Sequence, residues 1–197
     1  MNKFDKAFWE ELYKTNDTGW NIGYISTPIK EYIDQLHSKE LKILIPGAGN
    51  SYEAEYLWKK GFKNLFVLDI AEQPLLNLKN RIPDFPDNQL LLQDFFQVND
   101  KFDLIIEQTF FCALNPSMRE DYVTKMSEII DQKGKLIGLL FDFPLDTKGP
   151  PFGGSKDDYL KRFAPYFKIN TLERSYNSIK PREDKELFFI FEKNYHN

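Results

Sequence analysis

Residues 41–50 read LKILIPGAGN, and the fold follows from them. A continuous apolar run that breaks at Pro46-Gly47 is the pattern of a strand buried on both faces. Behind the break, Asn50 and Glu53 have N-cap and N3 spacing. Tyr52, Leu57 and Trp58 then share one helical face, and Gly61 ends the helix. Working outward, the same unit recurs. Residues 65–69 (LFVLD), 89–93 (QLLLQ), 102–106 (FDLII) and 135–141 (KLIGLLF) read as further strands. Pro74 sits in the first turn of a helix running to about residue 81. Asn115-Pro116 opens a helix carrying Val123, Met126 and Ile130, with Gly134 as its terminator. Ser155 and Asp158 form another capping pair. Residues near 167–173 and 186–192 close the chain as an antiparallel pair. Upstream lie a helix around residues 5–14 and another after Thr27-Pro28, where Ile29, Ile33 and Leu36 repeat at helical spacing. Strands alternating with helices predict an α/β Rossmann-like sheet of about seven strands, mostly parallel, with an antiparallel C-terminal hairpin. The 197 residues suit a single domain, residues 1–40 forming an N-terminal helical arm and 41–197 the core.

Composition narrows the classes. A net charge of −4 gives no global attraction to nucleic acid or anionic lipid. Cys112 is the only cysteine, which excludes an intrachain disulfide and a Cys₃ or Cys₄ metal site. The start, MNKFDKAFW, has no apolar segment of the signal-peptide kind, and no apolar run reaches membrane-spanning length. A cytoplasmic chain is expected, with a small-molecule partner and no metal. Aromatics make up 16 % of the chain, and two of the three Trp, Trp9 and Trp20, precede any predicted strand.

Ligands of open α/β sheets bind beyond the carboxyl ends of the strands. The turn Pro46-Gly47-Ala48-Gly49 offers close backbone approach and, behind it, a helix N-terminus. The dinucleotide fingerprint wants a third glycine where Tyr52 stands, which argues against a nicotinamide oxidoreductase. Asp69 closes the second strand about twenty residues after Gly49, where a carboxylate accepts hydrogen bonds from ribose hydroxyls. Asp94 follows the third strand, placed for an adenine amine, with Phe95 against the ring. These features describe an adenosine site without a pyrophosphate cradle, which favours S-adenosylmethionine.

With these residues in hand, the chain resembles the thiopurine S-methyltransferase family, within it the halide and thiol methyltransferase branch. The resemblance starts at Trp9-Glu10-Glu11-Leu12-Tyr13 and Thr18-Gly19-Trp20-Asn21-Ile22-Gly23. It continues through Ile45-Pro46-Gly47-Ala48-Gly49 and Leu68-Asp69-Ile70. Its most specific stretch is Phe102-Asp103-Leu104-Ile105, Phe110-Phe111-Cys112-Ala113-Leu114 and Arg119. Gly149-Pro150-Pro151-Phe152 and Pro181-Arg182 complete it. Departures are Tyr13 for the second arm Trp, Gly19 for a Pro, Gln108 for a cofactor-touching Tyr of plant halide members, and Phe152 for a Tyr near the substrate.

The resemblance implies a class I methyltransferase fold, S-adenosylmethionine as cofactor, S-adenosylhomocysteine as product, and a monomer. It implies an arm that lies over the cofactor, with Trp9, Tyr13 and Trp20 facing the sulfonium. Gly47, Gly49, Asp69, Ile70, Asp94, Phe95 and Gln108 complete the expected cofactor set. Phe111, Arg119, Phe152 and Arg182 are the expected substrate contacts. A thiolate or halide is already a good nucleophile, so no catalytic base is expected. This suits a chain whose two histidines, His37 and His196, stand away from the strand ends. Cys112 reads as a small buried residue. Three alternatives remain open: a small-molecule O- or N-methyltransferase, a nicotinamide-dependent oxidoreductase, which Tyr52 argues against, and a methyltransferase-like binding protein without turnover.

Overall fold

A computed structural model describes residues 4–145 and 148–194; His196 lies outside them. Seven strands form one sheet in the order β3-β2-β1-β4-β5-β7-β6. They are β1 (Ile43–Pro46), β2 (Leu65–Asp69), β3 (Leu90–Leu92), β4 (Phe102–Gln108), β5 (Ile130–Phe141), β6 (Phe167–Arg174) and β7 (Glu186–Lys193). The first five strands run parallel, and β7 pairs antiparallel with both β5 and β6. The helices are α1 (Lys6–Lys14), α2 (Thr27–Asp34), α3 (Tyr52–Lys59), α4 (Glu72–Arg81), α5 (Arg119–Ile129) and α6 (Lys156–Phe163).

Strand side chains alternate between two cores, as the period of two requires. Ile43, Ile45, Leu104, Ile106, Ile137 and Leu139 face α2, α3 and α4. Leu44, Ile105, Leu136 and Leu140 face α5 and α6. Successive β1→β2→β3 crossovers therefore lie on one face and the β4→β5 crossover on the other. The strand order reverses between β1 and β4, and this opens a crevice at their carboxyl ends.

Three expectations change. Ile29 and Ile33 of α2 are fully buried in the α3/α4-side core, so α2 is part of the core layer. Only the chain ahead of it behaves as an arm. The cap of α3 is Ser51, with left-handed φ of 54°, not Asn50. The carbonyl of Asn50 accepts from Arg81 and its side chain from Asn77. This moves Glu53 off N3. Gly134 does not close α5, because the helix ends at Ile129 and β5 starts at once with Ile130 paired to Phe102. A Cβ on Gly134 would lie 3.0 Å from the Phe102 carbonyl, at the register shift between β4 and β5. Close backbone approach inside the strand is what that glycine serves.

Gly138 is more constrained. A Cβ there would collide with the Glu107 carbonyl oxygen, so β4 and β5 would have to separate. Gly138→Ala is expected to cost about 1–3 kcal/mol. A urea denaturation midpoint equal to the parent's would refute this close approach.

Candidate active site

A cavity of about 830 Å³ opens at the carboxyl ends of β1, β2 and β4. Its floor is the glycine turn. Gly47 and Gly49 have φ of 55° and 53°, a region that L side chains rarely adopt. A Cβ on Gly47 would collide with the Phe110 ring. One on Gly49 would lie 3.3 Å from the Tyr13 hydroxyl and 3.7 Å from Trp20 Nε1. The turn is held by Asp69, whose Oδ2 accepts from the Gly49 N–H at 3.0 Å and Oδ1 from the Ala71 N–H at 2.9 Å. Burial pushes this carboxyl up to about 6, against the pull of the backbone donors.

The arm forms the roof. Asp5 caps α1 by accepting from the Phe8 N–H. Trp9 and Tyr13, one turn apart, both meet Trp20 edge-on, at ring distances of 5.5 and 5.6 Å. Phe4 and Phe8 extend the aromatic edge. Burial raises the Tyr13 hydroxyl pKa, and the nearby Asp69 charge adds to it. The roof is tied to the far wall by Arg182, whose Nη2 donates to the Trp20 carbonyl at 2.9 Å. Beyond the ends of β2 and β3 the lining includes Ile70, Asp94, Phe95 and Phe110. Asp94 accepts from the Phe96 N–H, fixing the turn that presents Phe95, which packs edge-on to Phe110 at 5.3 Å.

At the β1–β4 end lies a buried polar network. The Gln108 amide finds partners of the right sign with its nitrogen toward Ser26 Oγ (2.6 Å) and Glu53 Oε1 (3.2 Å). Its oxygen then accepts from Arg182 Nη1 at 3.2 Å. Arg182 Nη1 also reaches Glu186 Oε1 at 3.4 Å, and Glu186 Oε2 accepts from Ser178. Beneath them Glu107 takes the N–H groups of Phe110 and Phe111, and burial pushes its carboxyl up to about 7.

All the expected cofactor contacts line this cavity: Trp9, Tyr13, Trp20, Gly47, Gly49, Asp69, Ile70, Asp94, Phe95 and Gln108. Of the expected substrate contacts, only Arg182 does. Phe111, Arg119 and Phe152 are corrected: each is 1 % exposed and none reaches the cavity. Phe111 packs between Tyr122 and Tyr159. The Arg119 guanidinium lies over the Phe111 ring, donates to the Gly153 carbonyl and pairs with Asp158. A buried cation needs such partners, and they turn it away from the site. Phe152 supports Phe4 from behind. Cys112 lines the cavity, but its thiol donates to the Thr109 carbonyl and burial raises its pKa, so it is no thiolate nucleophile. Among the described residues Arg182 is the one cation in the lining, no histidine lines it, and no cluster suits a metal ion. His37 is exposed.

Residues 4–196 match the thiopurine S-methyltransferase family. The chain belongs to that family. It is a methyltransferase, and its cofactor is S-adenosylmethionine. Among curated relatives, it is 26 % identical over 192 residues to probable thiol methyltransferase 2 of Arabidopsis thaliana, covering 94 % of this chain and 84 % of that one. It is 27 % identical over 190 residues to thiocyanate methyltransferase 1 of Brassica oleracea, covering 92 % and 83 %. Its fold matches the Burkholderia thailandensis 1,6-didemethyltoxoflavin-N1-methyltransferase solved with bound 1,6-didemethyltoxoflavin and S-adenosylhomocysteine. The TM-score there is 0.73 at 13 % identity, over 96 % and 87 % of the two chains. The residues of this methyltransferase fit such a cofactor. The turn has no Cβ at either glycine, and a buried carboxylate backs it. Ser51 Oγ is buried on the lining without a partner.

The raised Asp69 carboxyl predicts a pH signature. Its folded value of about 6 lies above the ordinary 3.8, so the native state holds the extra proton between these values. The group's stability contribution is full below the unfolded value and is lost as pH rises toward about 6. Urea midpoints of Asp69→Asn should vary less over that window than the parent's; parallel pH profiles would refute the buried-carboxyl assignment.

Proposed function

We propose that this methyltransferase acts on a small, soft, anionic nucleophile: a thiolate, a thiopurine-like sulfur or a halide. The observation carrying this reading is the cavity lining, with an aromatic roof, one guanidinium and no imidazole. A hydroxyl or ammonium acceptor must lose a proton to react, and catalysis of such reactions usually recruits a base. A soft anion needs none. It needs desolvation, a counter-charge and alignment opposite the leaving group. The two relatives named for thiol and thiocyanate methylation agree with this choice.

Bound S-adenosylmethionine supplies an electrophilic methyl group on a sulfonium. Asp69 is proposed to accept the ribose hydroxyls, and Asp94 with Phe95 and Ile70 to hold the adenine. Gln108 would orient the cofactor from the end of β4. Trp9, Tyr13 and Trp20 would turn π-faces and edges toward the sulfonium region and exclude water from it. Arg182 faces the acceptor. Its charge is partly met by Glu186, and its position on the cavity lining would let it meet an incoming anion. Apolar groups around it, Phe141 and Pro151 among them, suit a poorly hydrated ion. No general base is assigned.

Incubation with cofactor and iodide, bisulfide, thiocyanate, aryl thiols or thiopurines tests this directly, with headspace gas analysis and mass spectrometry of products. Methylated sulfur or halide products are expected. Turnover on a phenol or amine alone would replace this reading with O- or N-methylation, and cofactor binding with no turnover would favour a binding protein. Arg182→Gln keeps a donor for the Trp20 carbonyl but removes the charge. It should raise KM for the anionic acceptor by about ten- to a hundredfold. An unchanged KM would remove Arg182 from the acceptor site.

A further inference from the structure

Among the described carboxyls, Glu107 alone is 0 % exposed. It sits next to last in β4, and Gly138 of β5 gives its backbone room that a Cβ would take. Its Oε1 accepts from the Phe110 N–H at 2.9 Å and from the Phe111 N–H at 2.6 Å. These bonds hold the chain as it leaves β4 through Thr109, whose left-handed φ of 60° is costly for a β-branched residue. The turn so held is a wall of the cavity. Gln108, Thr109, Phe110, Cys112, Ala113 and Leu114 all line it. The Cys112 carbonyl also accepts from the Phe152 N–H, which ties a second loop to the same wall.

The other oxygen is left over. Among the described residues no donor reaches Glu107 Oε2. A charge on this carboxyl would be met by two backbone N–H groups on one oxygen and by nothing on the other. Its surroundings add no relief. Glu186 from β7 contributes a like charge. Tyr122 from α5, Tyr159 from α6 and Cys112 from the turn are neutral groups whose own ionisation burial opposes. Neighbouring β1 and the facing part of β5 present only apolar residues and glycine. The cations that act on Cys112, Arg182 and Arg119, pair with Glu186 and Asp158 rather than with Glu107.

Cys112 shows what a charge on Glu107 does at the lining. Burial raises its thiol pKa most, a Glu107 charge raises it further, and the Arg182 charge lowers it. A thiolate at that wall is therefore opposed by Glu107 and favoured by Arg182. An anionic acceptor beside Arg182 stands in the same two fields, and buried charges are little screened by salt. We propose that Glu107 is a positioning residue that also sets the charge of the acceptor site: neutral, it holds the 108–114 wall for a soft anion, and ionised, it repels one. Burial pushes this carboxyl up to about 7. Affinity for anions is thus high below that pH and falls as pH rises through it. The inference rests on the soft-anion reading of the acceptor and adds its pH dependence.

The test uses acceptors whose own charge is constant over the range, thiocyanate and 5-thio-2-nitrobenzoate, at fixed ionic strength. The parent is compared with Glu107→Gln, which keeps a carbonyl for the two N–H groups and carries no charge. The range starts above the Asp69 value of about 6. In the parent, KM for both anions should rise about tenfold from about pH 6.5 to about pH 8.5. Over the same range kcat and the calorimetric affinity for S-adenosylhomocysteine should stay within about threefold. In Glu107→Gln, KM should stay within about twofold. A variant whose KM rises as the parent's does would assign the titration to another group, Glu186 first among them. A parent KM that stays flat would leave the Glu107 charge unfelt by the acceptor. Parallel losses of kcat and cofactor affinity would make the effect structural. Each of these overturns the proposal. If Glu107→Gln does not fold, as melting curves will show, the parent profile decides: a rising KM at steady cofactor affinity supports the proposal, and a flat or falling one overturns it. A parent that methylates neither anion overturns the soft-anion reading, and this proposal with it.

Discussion

The cavity depends on one buried carboxylate. Asp69 leaves β2 and takes the N–H of Gly49, which follows β1, so adjacent strand ends are tied at their tips. With that bond the two left-handed glycines hold a turn too tight for any side chain. The Tyr13 hydroxyl and the Trp20 indole can then settle on it. The roof, the floor and the start of α3 all refer to this contact. Burying the carboxylate raises its pKa, so the turn is held by a group whose charge the surroundings resist.

A second tie closes the opposite side. Arg182 binds the Trp20 carbonyl and, through Gln108, meets Glu53 and Ser26. Five parts of the chain meet there: the arm, the α2 start, the α3 first turn, the end of β4 and the segment before β7. Buried polar networks of this kind are high in energy unless each member is served. Close to it, Ser51 Oγ and Glu107 Oε2 are buried without a partner.

The sheet was legible from sequence because its signals are local. An apolar run broken by Pro46-Gly47 has few alternatives, and Ser155 does cap α6 through the Asp158 N–H. That Gly47, Gly49, Asp69 and Asp94 share one cavity was legible because they sit at strand ends whose place follows from topology. The acceptor side was less so. Arg119 and Arg182 look alike in sequence, but one finds Gly153 and Asp158 in the core and the other faces the cavity. Only long-range packing separates them. Glu53 was masked by its spacing, since an acidic residue soon after Asn50 looks like a helix cap. No local signal announces a carboxylate buried by contacts from α2 and β4. Gly134 misled for a related reason: a glycine after a helix pattern suggests a stop, and the close approach of β4 is invisible from its neighbours.

The roof is drawn from residues 4–24, and none of them belongs to either buried apolar cluster of the sheet. The roof of the cavity and the cores of the sheet are thus built from different stretches of the chain. Changes in the arm can resize or recharge the space above the glycine turn with little cost to the scaffold below. In evolutionary terms residues 4–24 are an adjustable faceplate: substitutions there meet the cavity without meeting the cores that hold the sheet.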